Sequence, residues 1–129
     1  MPRPLRIDYP GALHHVMNRG ARRQPVFFDD DCCAIFLELV GAATERYGLR
    51  VHGYALMPNH YHLLIRSRTR QLSRGMAYLD GLYTRRTNRR HGHDGPLFRG
   101  RFRSRLIEDE DYLLHTLAYI HLNPVDAQL

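Results

Sequence analysis

At 129 residues the chain suits one compact domain, residues 1–129, and 43 % hydrophobic against 25 % charged residues is too apolar for a chain that stays disordered. The longest mostly apolar stretch, Ala34 to Ala43, is broken by Glu38, and no apolar segment follows Arg3 and Arg6, so neither a membrane span nor a secretory signal is expected and the cytoplasm is the expected location. The net charge of +6 comes entirely from arginine: twelve of the 19 lie between Arg66 and Arg105 against Asp80 and Asp94, a local balance of +10, while the rest of the chain is at −4. Charge concentrated in this way points to a phosphate-bearing partner rather than to a need for solubility.

The elements follow from period and punctuation. Leu13 to Asn18, closed by Gly20, reads as a first strand. Asp29, Asp30 and Asp31 are N-cap and first-turn acids for a helix with Ile35, Leu39, Ala42 and Ala43 at helical spacing, which stops at Gly48. Adjacent Cys32 and Cys33 in that helix strain any mutual disulfide and match no zinc-ligand spacing, so they read as reduced thiols. Arg50 to Met57 and His60 to Arg66 read as strands paired about a Met57-Pro58-Asn59 corner. Leu72, Met76, Leu79, Leu82 and Tyr83 predict a second long helix ending before Gly92. Phe98 to Leu106 alternates strictly and predicts a strand with Arg99, Arg101, Arg103 and Arg105 in a ladder on one face. A last helix is expected from about Asp109 to Leu122, with Pro124 closing it. The order β-α-β-β-α-β plus a helix is the ferredoxin-like, split βαβ arrangement of an α+β sandwich with an antiparallel sheet.

His60 and His62, two apart on a strand, point to one side and form half of a divalent-metal site, although two such histidines are also common as surface residues. On the last helix Leu113, Leu117 and Ile120 form the core stripe, and Tyr112, His115, Tyr119 and Asn123 gather on the opposite side. Tyr119 and Asn123 are one turn apart. Taken singly, Tyr119 also fits a sheet-helix seam and Asn123 a C-terminal cap.

The runs Leu56-Met57-Pro58-Asn59-His60-Tyr61-His62-Leu63-Leu64-Ile65 and Tyr119-Ile120-His121-Leu122-Asn123-Pro124 resemble the single-tyrosine HUH transposases, particularly the REP-associated tyrosine transposases. The likeness extends over Tyr9-Pro10-Gly11-Ala12, Asn18-Arg19-Gly20, Tyr83-Thr84, Asn88-Arg89-Arg90-His91-Gly92 and Leu97-Phe98-Arg99-Gly100-Arg101-Phe102. It implies that His60, His62 and Asn123 bind Mg²⁺ or Mn²⁺ and that Tyr119 attacks DNA through a 5′-phosphotyrosine intermediate. Asp126 and Gln128 depart from the basic residue and glycine often found there.

That resemblance implies a single-stranded DNA endonuclease and strand transferase, acting as a monomer or homodimer on hairpin or repeat-associated DNA. A site between strand and helix suits a single strand better than a duplex. The expected backbone contacts are Arg85, Arg86, Arg89, Arg90, Arg99, Arg101, Arg103 and Arg105, with Arg19, Arg22 and Arg23 placed to clamp a hairpin stem. Two alternatives remain open at this point: a non-catalytic module of the same fold binding single-stranded nucleic acid, and a hydrolytic nuclease that needs no tyrosine.

Overall fold

The computed structural model describes residues 7–128, and within the last helix the side chains of Tyr119 and of residues 121–128 lie outside the described residues. The chain runs β1 (Leu13–Arg19), a single 3-10 turn (Ala21–Arg23), α1 (Asp30–Tyr47), β2 (Leu49–Met57), β3 (His60–Ser67), α2 (Leu72–His91), β4 (Arg103–Leu106) and α3 (Glu110–Gln128). The four strands form one sheet in the order β2-β3-β1-β4, with every neighbouring pair antiparallel. This is the expected ferredoxin-like topology, with α3 added.

Helix ends fall where their chemistry dictates. The Asp29 carboxylate accepts the Cys32 backbone N–H at 2.8 Å and starts α1. Gly48 stops it in the left-handed conformation at φ 64°, with Thr69 packed so closely that a Cβ there would lie 2.7 Å from a methyl. Gly92 ends α2 in the same way at φ 66°. Both cysteines are free thiols, as expected. Among the described residues no helix is long and apolar enough to cross a membrane.

Period-two alternation divides the sheet between two layers. Val16, Tyr61, Leu63 and Ile65 face α1 and α2, where Phe36, Leu39, Met76, Leu79 and Tyr83 complete the larger core. Leu13, Ala55 and Leu64 face the other way and join Ile107 and Ile120 in a smaller cluster beneath α3. Ile120 of α3 lies over Gly53 of β2, where a Cβ would make only an ordinary contact at 3.5 Å.

Three expectations need correction. The strand expected over Phe98–Leu106 is regular only from Arg103 to Leu106, apart from an isolated bridge between Gly20 and Phe98. Phe98 and Phe102 both bury into the larger core, and although the Arg99 N–H still donates to the Arg19 carbonyl at 3.0 Å, the Gly100 carbonyl accepts from Asn18 Nδ2 at 3.1 Å, so the ladder is interrupted before Arg103. Helix α3 continues through Pro124 to Gln128, because one missing N–H removes a single hydrogen bond and leaves the flanking ones to carry the helix. Tyr112 packs with Leu113, Leu117 and Ile120 on the sheet, whereas the expectation placed it on the far side; a polar partner beneath it, His15, makes the inward position favourable for a phenol.

Candidate active site and nucleic-acid cleft

The β3 alternation that buries Tyr61 and Leu63 beneath α1 and α2 turns His60 and His62 to the α3 side. Their rings stand edge to face with centroids 5.1 Å apart, so the expected pair is on one side. Across the sheet β1 contributes a third imidazole, His15, whose ring centroid is 5.1 Å from that of His62. His15 Nε2 and His62 Nδ1 share a hydrogen bond of 3.0 Å, and His15 Nδ1 bonds the Tyr112 hydroxyl at 3.0 Å. A continuous polar chain thus runs from α3 through β1 to β3.

The local chemistry fixes the tautomer of His60. Its Nδ1 lies 2.7 Å from the amide oxygen of Asn59, which can only accept, so Nδ1 carries the proton and Nε2 keeps the lone pair. Asn59 is held in turn: its carbonyl accepts the Gly20 N–H at 2.9 Å, and its side-chain amide donates to the Arg23 carbonyl at 3.4 Å. Pro58 closes the same corner by accepting the N–H groups of Val26 and Phe27.

Burial disfavours the charged form of all three rings, and the neutral form is the one that ligates cations. Burial, with His15 and His60 adding to it, brings His62 down to about 4. Burial and then the Arg105 guanidinium lower His15, and burial lowers His60. Positive charge is instead supplied by arginine around the rim. An open cavity of about 450 Å³ is lined by His60, His62, Asn59 and Asn18 together with Arg19, Arg23, Arg99 and Arg103. Burial, then the charges of Arg103 and Arg19, lower the Arg99 pKa, which records how closely these cations converge. Such a cleft concentrates positive charge suited to an anionic ligand such as a phosphate.

The other expected basic contacts are dispersed. Arg105 lies over the Tyr112 ring at 4.3 Å and braces the approach of α3 to the sheet. Arg101 turns to a groove on the α2 side with Ser73, Asp80 and Phe102, and Arg85 borders a second groove with Thr84 and Pro96. Arg90 pairs with Asp29 and Asp31 at 3.3 and 2.9 Å, and Arg86 approaches Glu38 at 4.0 Å on the exposed α1–α2 surface. Arg22 and Arg89 are exposed. His115 turns back to the Asp111 carbonyl at 2.8 Å. The side chains of Tyr119 and Asn123 lie outside the described residues; their backbone belongs to α3.

Sequence reasoning missed His15, Asn59 and the inward Tyr112. Asn59 carried a signal, its place directly before His60 at a strand corner. His15 needed the β1–β3 register, which pairs Met17 with His62 and brings His15 beside it only once the sheet is assembled.

Comparison with known proteins follows the same line. The model of the family described as "Transposase IS200 like" matches residues 9–123. No match is found among the curated proteins. Among solved structures, a REP-associated tyrosine transposase bound to a REP hairpin superposes with a TM-score of 0.77 at 16 % identity, covering 98 % of this chain and 74 % of the other. A protein from Deinococcus radiodurans R1, described as a candidate transposase, superposes with a TM-score of 0.63 at 18 % identity, covering 95 % and 98 %. At these identities the superpositions establish a shared fold.

Proposed function

The chain belongs to the IS200-like transposase family, and from that premise we propose that it is a metal-dependent endonuclease and strand transferase acting on single-stranded DNA through Tyr119. One observation carries this reading: α3 packs on the same sheet face as His60 and His62, tied to them through Tyr112 and His15, beside a cleft rimmed by four arginines. Seven residues, about two turns, separate Tyr112 from Tyr119 and Thr116 from Asn123, and this helical period, which lines positions 119 and 123 up with Tyr112 and Thr116, supports the reading.

The donor set fits a divalent cation. His60 offers Nε2, because its Nδ1 proton is committed to Asn59, and His62 is steered through Nδ1 by His15. Asn123 is the proposed third ligand. When bound, Mg²⁺ or Mn²⁺ supplies positive charge that polarises the scissile phosphate.

In the proposed reaction Arg19, Arg23, Arg99 and Arg103 hold the DNA backbone and stabilise charge on the phosphorus-bound oxygens. The Tyr119 phenol gives up its proton to water as its oxygen attacks phosphorus. The 3′-oxygen leaves and takes up a proton, while the phosphate, still bonded to the 5′-oxygen of the downstream strand, becomes esterified to Tyr119. Because one ester replaces another, a new 3′-hydroxyl can reverse the step and rejoin strands. The solved relative of this fold is bound to a REP hairpin, and a hairpin with a single-stranded flank is the substrate we assign here. A site set between a strand and a helix suits this better than a duplex.

The test is a denaturing gel of the protein incubated with a single-stranded hairpin oligonucleotide and Mn²⁺. The expected result is a protein-DNA adduct that disappears in Tyr119→Phe while DNA binding is retained. Cleavage without an adduct would favour hydrolysis by water, and binding without cleavage would favour a non-catalytic module; either outcome overturns the proposal.

A further inference from the structure

A second group of ligating side chains lies away from the histidine cleft, where the start of α1 meets the end of α2. Asp29, Cys32 and His91 each direct one oxygen, sulfur or nitrogen atom so that all three lie within 4.8 Å of one another. Cys32 Sγ and His91 Nε2 are 3.5 Å apart. Tetrahedral zinc, with bonds of about 2.3 Å to sulfur and about 2.0 Å to nitrogen, requires an S···N edge of roughly 3.5 Å. We propose that Asp29, Cys32 and His91 form a binding site for a thiophilic divalent cation of the zinc type.

The surroundings suit this role. Cys32 is 1 % exposed, fixed within the core of α1, and the His91 ring rests against Phe28 with centroids 4.8 Å apart. Asp29 is exposed and forms the mouth through which an ion enters. Its Oδ1 accepts the Cys32 N–H, and its Oδ2 is left to be shared with a cation. Arg90 now contacts Oδ2 at 3.3 Å, yet it has a closer partner in Asp31 at 2.9 Å and can release Asp29 without losing its ion pair. As the metal-sulfur bond forms, the Cys32 thiol proton passes to solvent, and water completes the fourth position. One thiolate and one imidazole select against Mg²⁺, which prefers oxygen ligands, so this site is chemically separate from the histidine cleft. Bound metal would fasten the ends of two helices whose ligands are 59 residues apart in the chain.

The experiment uses the full chain carrying His60→Ala and His62→Ala, so that the histidine cleft does not compete. Titration with Co²⁺ is expected to give one equivalent of tetrahedral complex, with a thiolate-to-cobalt band in the near ultraviolet that Zn²⁺ abolishes. Cys32→Ser removes that band and His91→Gln weakens binding at least tenfold, whereas Cys33→Ser, the adjacent thiol, changes neither. As a second readout, Zn²⁺ raises the thermal midpoint of the Cys33→Ser protein but not of the Cys32→Ser protein. A weak octahedral spectrum only, or a thiolate band that survives Cys32→Ser and vanishes in Cys33→Ser, overturns the assignment and leaves Cys32 and His91 as a thiol-imidazole hydrogen bond.

Discussion

Strand β3 presents two chemistries, one on each face. Tyr61, Leu63 and Ile65 are sealed beneath α1 and α2 in a core rich in aromatic contacts, whereas His60, His62 and Leu64 face a thinner layer under α3 where imidazoles and arginines gather. The same period-two backbone therefore separates stability from chemistry by the parity of residue number. Polar groups on the chemical side are tolerated because each is held by another, as His62 is by His15 and His60 by Asn59. The larger core rigidifies the strand on which both histidines ride.

If the two faces divide work in this way, substitutions on them should have opposite signatures. His62→Ala is expected to reduce Mn²⁺-dependent DNA cleavage by more than about 100-fold, beyond the roughly 10–100-fold cost of losing a residue that only orients a ligand. Its stability cost should be about 1–3 kcal/mol, from leaving His15 with an unmet hydrogen bond. Phe36→Ala reverses the pattern. Phe36 meets Phe27, Tyr61 and Tyr83 with ring centroids 5.2, 4.9 and 5.2 Å away, and its truncation should cost about 3–5 kcal/mol in denaturant unfolding while cleavage per folded molecule stays near wild type. Equal loss of cleavage in the two variants would abolish the division.

A smaller effect sharpens the chemical side. Asn59→Ala removes the acceptor that fixes His60 with Nε2 toward the cleft, and Mn²⁺ affinity measured by calorimetry should fall about tenfold. Asn59→Asp keeps an acceptor for the same Nδ1 proton and should recover most of that affinity. Failure of Asp to rescue would mean that Asn59 acts only through the amide it donates to the Arg23 carbonyl.

These contrasts also mark what could be read from sequence. Helix limits were legible at Asp29, Gly48 and Gly92, because a cap or a left-handed glycine is a local demand. The shared side of His60 and His62 was equally legible, because strand parity is local. The arginine ladder was misleading: its alternation mimics a strand, but Phe98 and Phe102 are anchors to a core that the pattern cannot locate. The pairing of Arg90 with Asp29 and Asp31 was not legible, because it exists only once α1 lies beside α2. His15 and Tyr112 were hidden for a related reason, since their hydrogen bond joins residues 97 positions apart.

The weakest predicted effect compares the two faces through pH. Between about pH 6.5 and 4 the unfolded chain protonates His62 while the native state, with its pKa held at about 4 by burial, does not, so this side loses stability as pH falls. Asp80 on α2 behaves oppositely. Burial raises its carboxyl from 3.8 to about 6 despite hydrogen bonds from Tyr61 at 2.8 Å and Asn18 at 3.0 Å, so between those values the native state binds the proton first and stability grows as pH falls. Each slope amounts to no more than about one proton, and in the wild type they oppose each other. Urea unfolding from pH 4 to 6.5 should therefore show a steeper loss toward acid in Asp80→Asn and a shallower one in His62→Gln. Parallel curves for the two variants would show that neither face contributes the titration assigned to it.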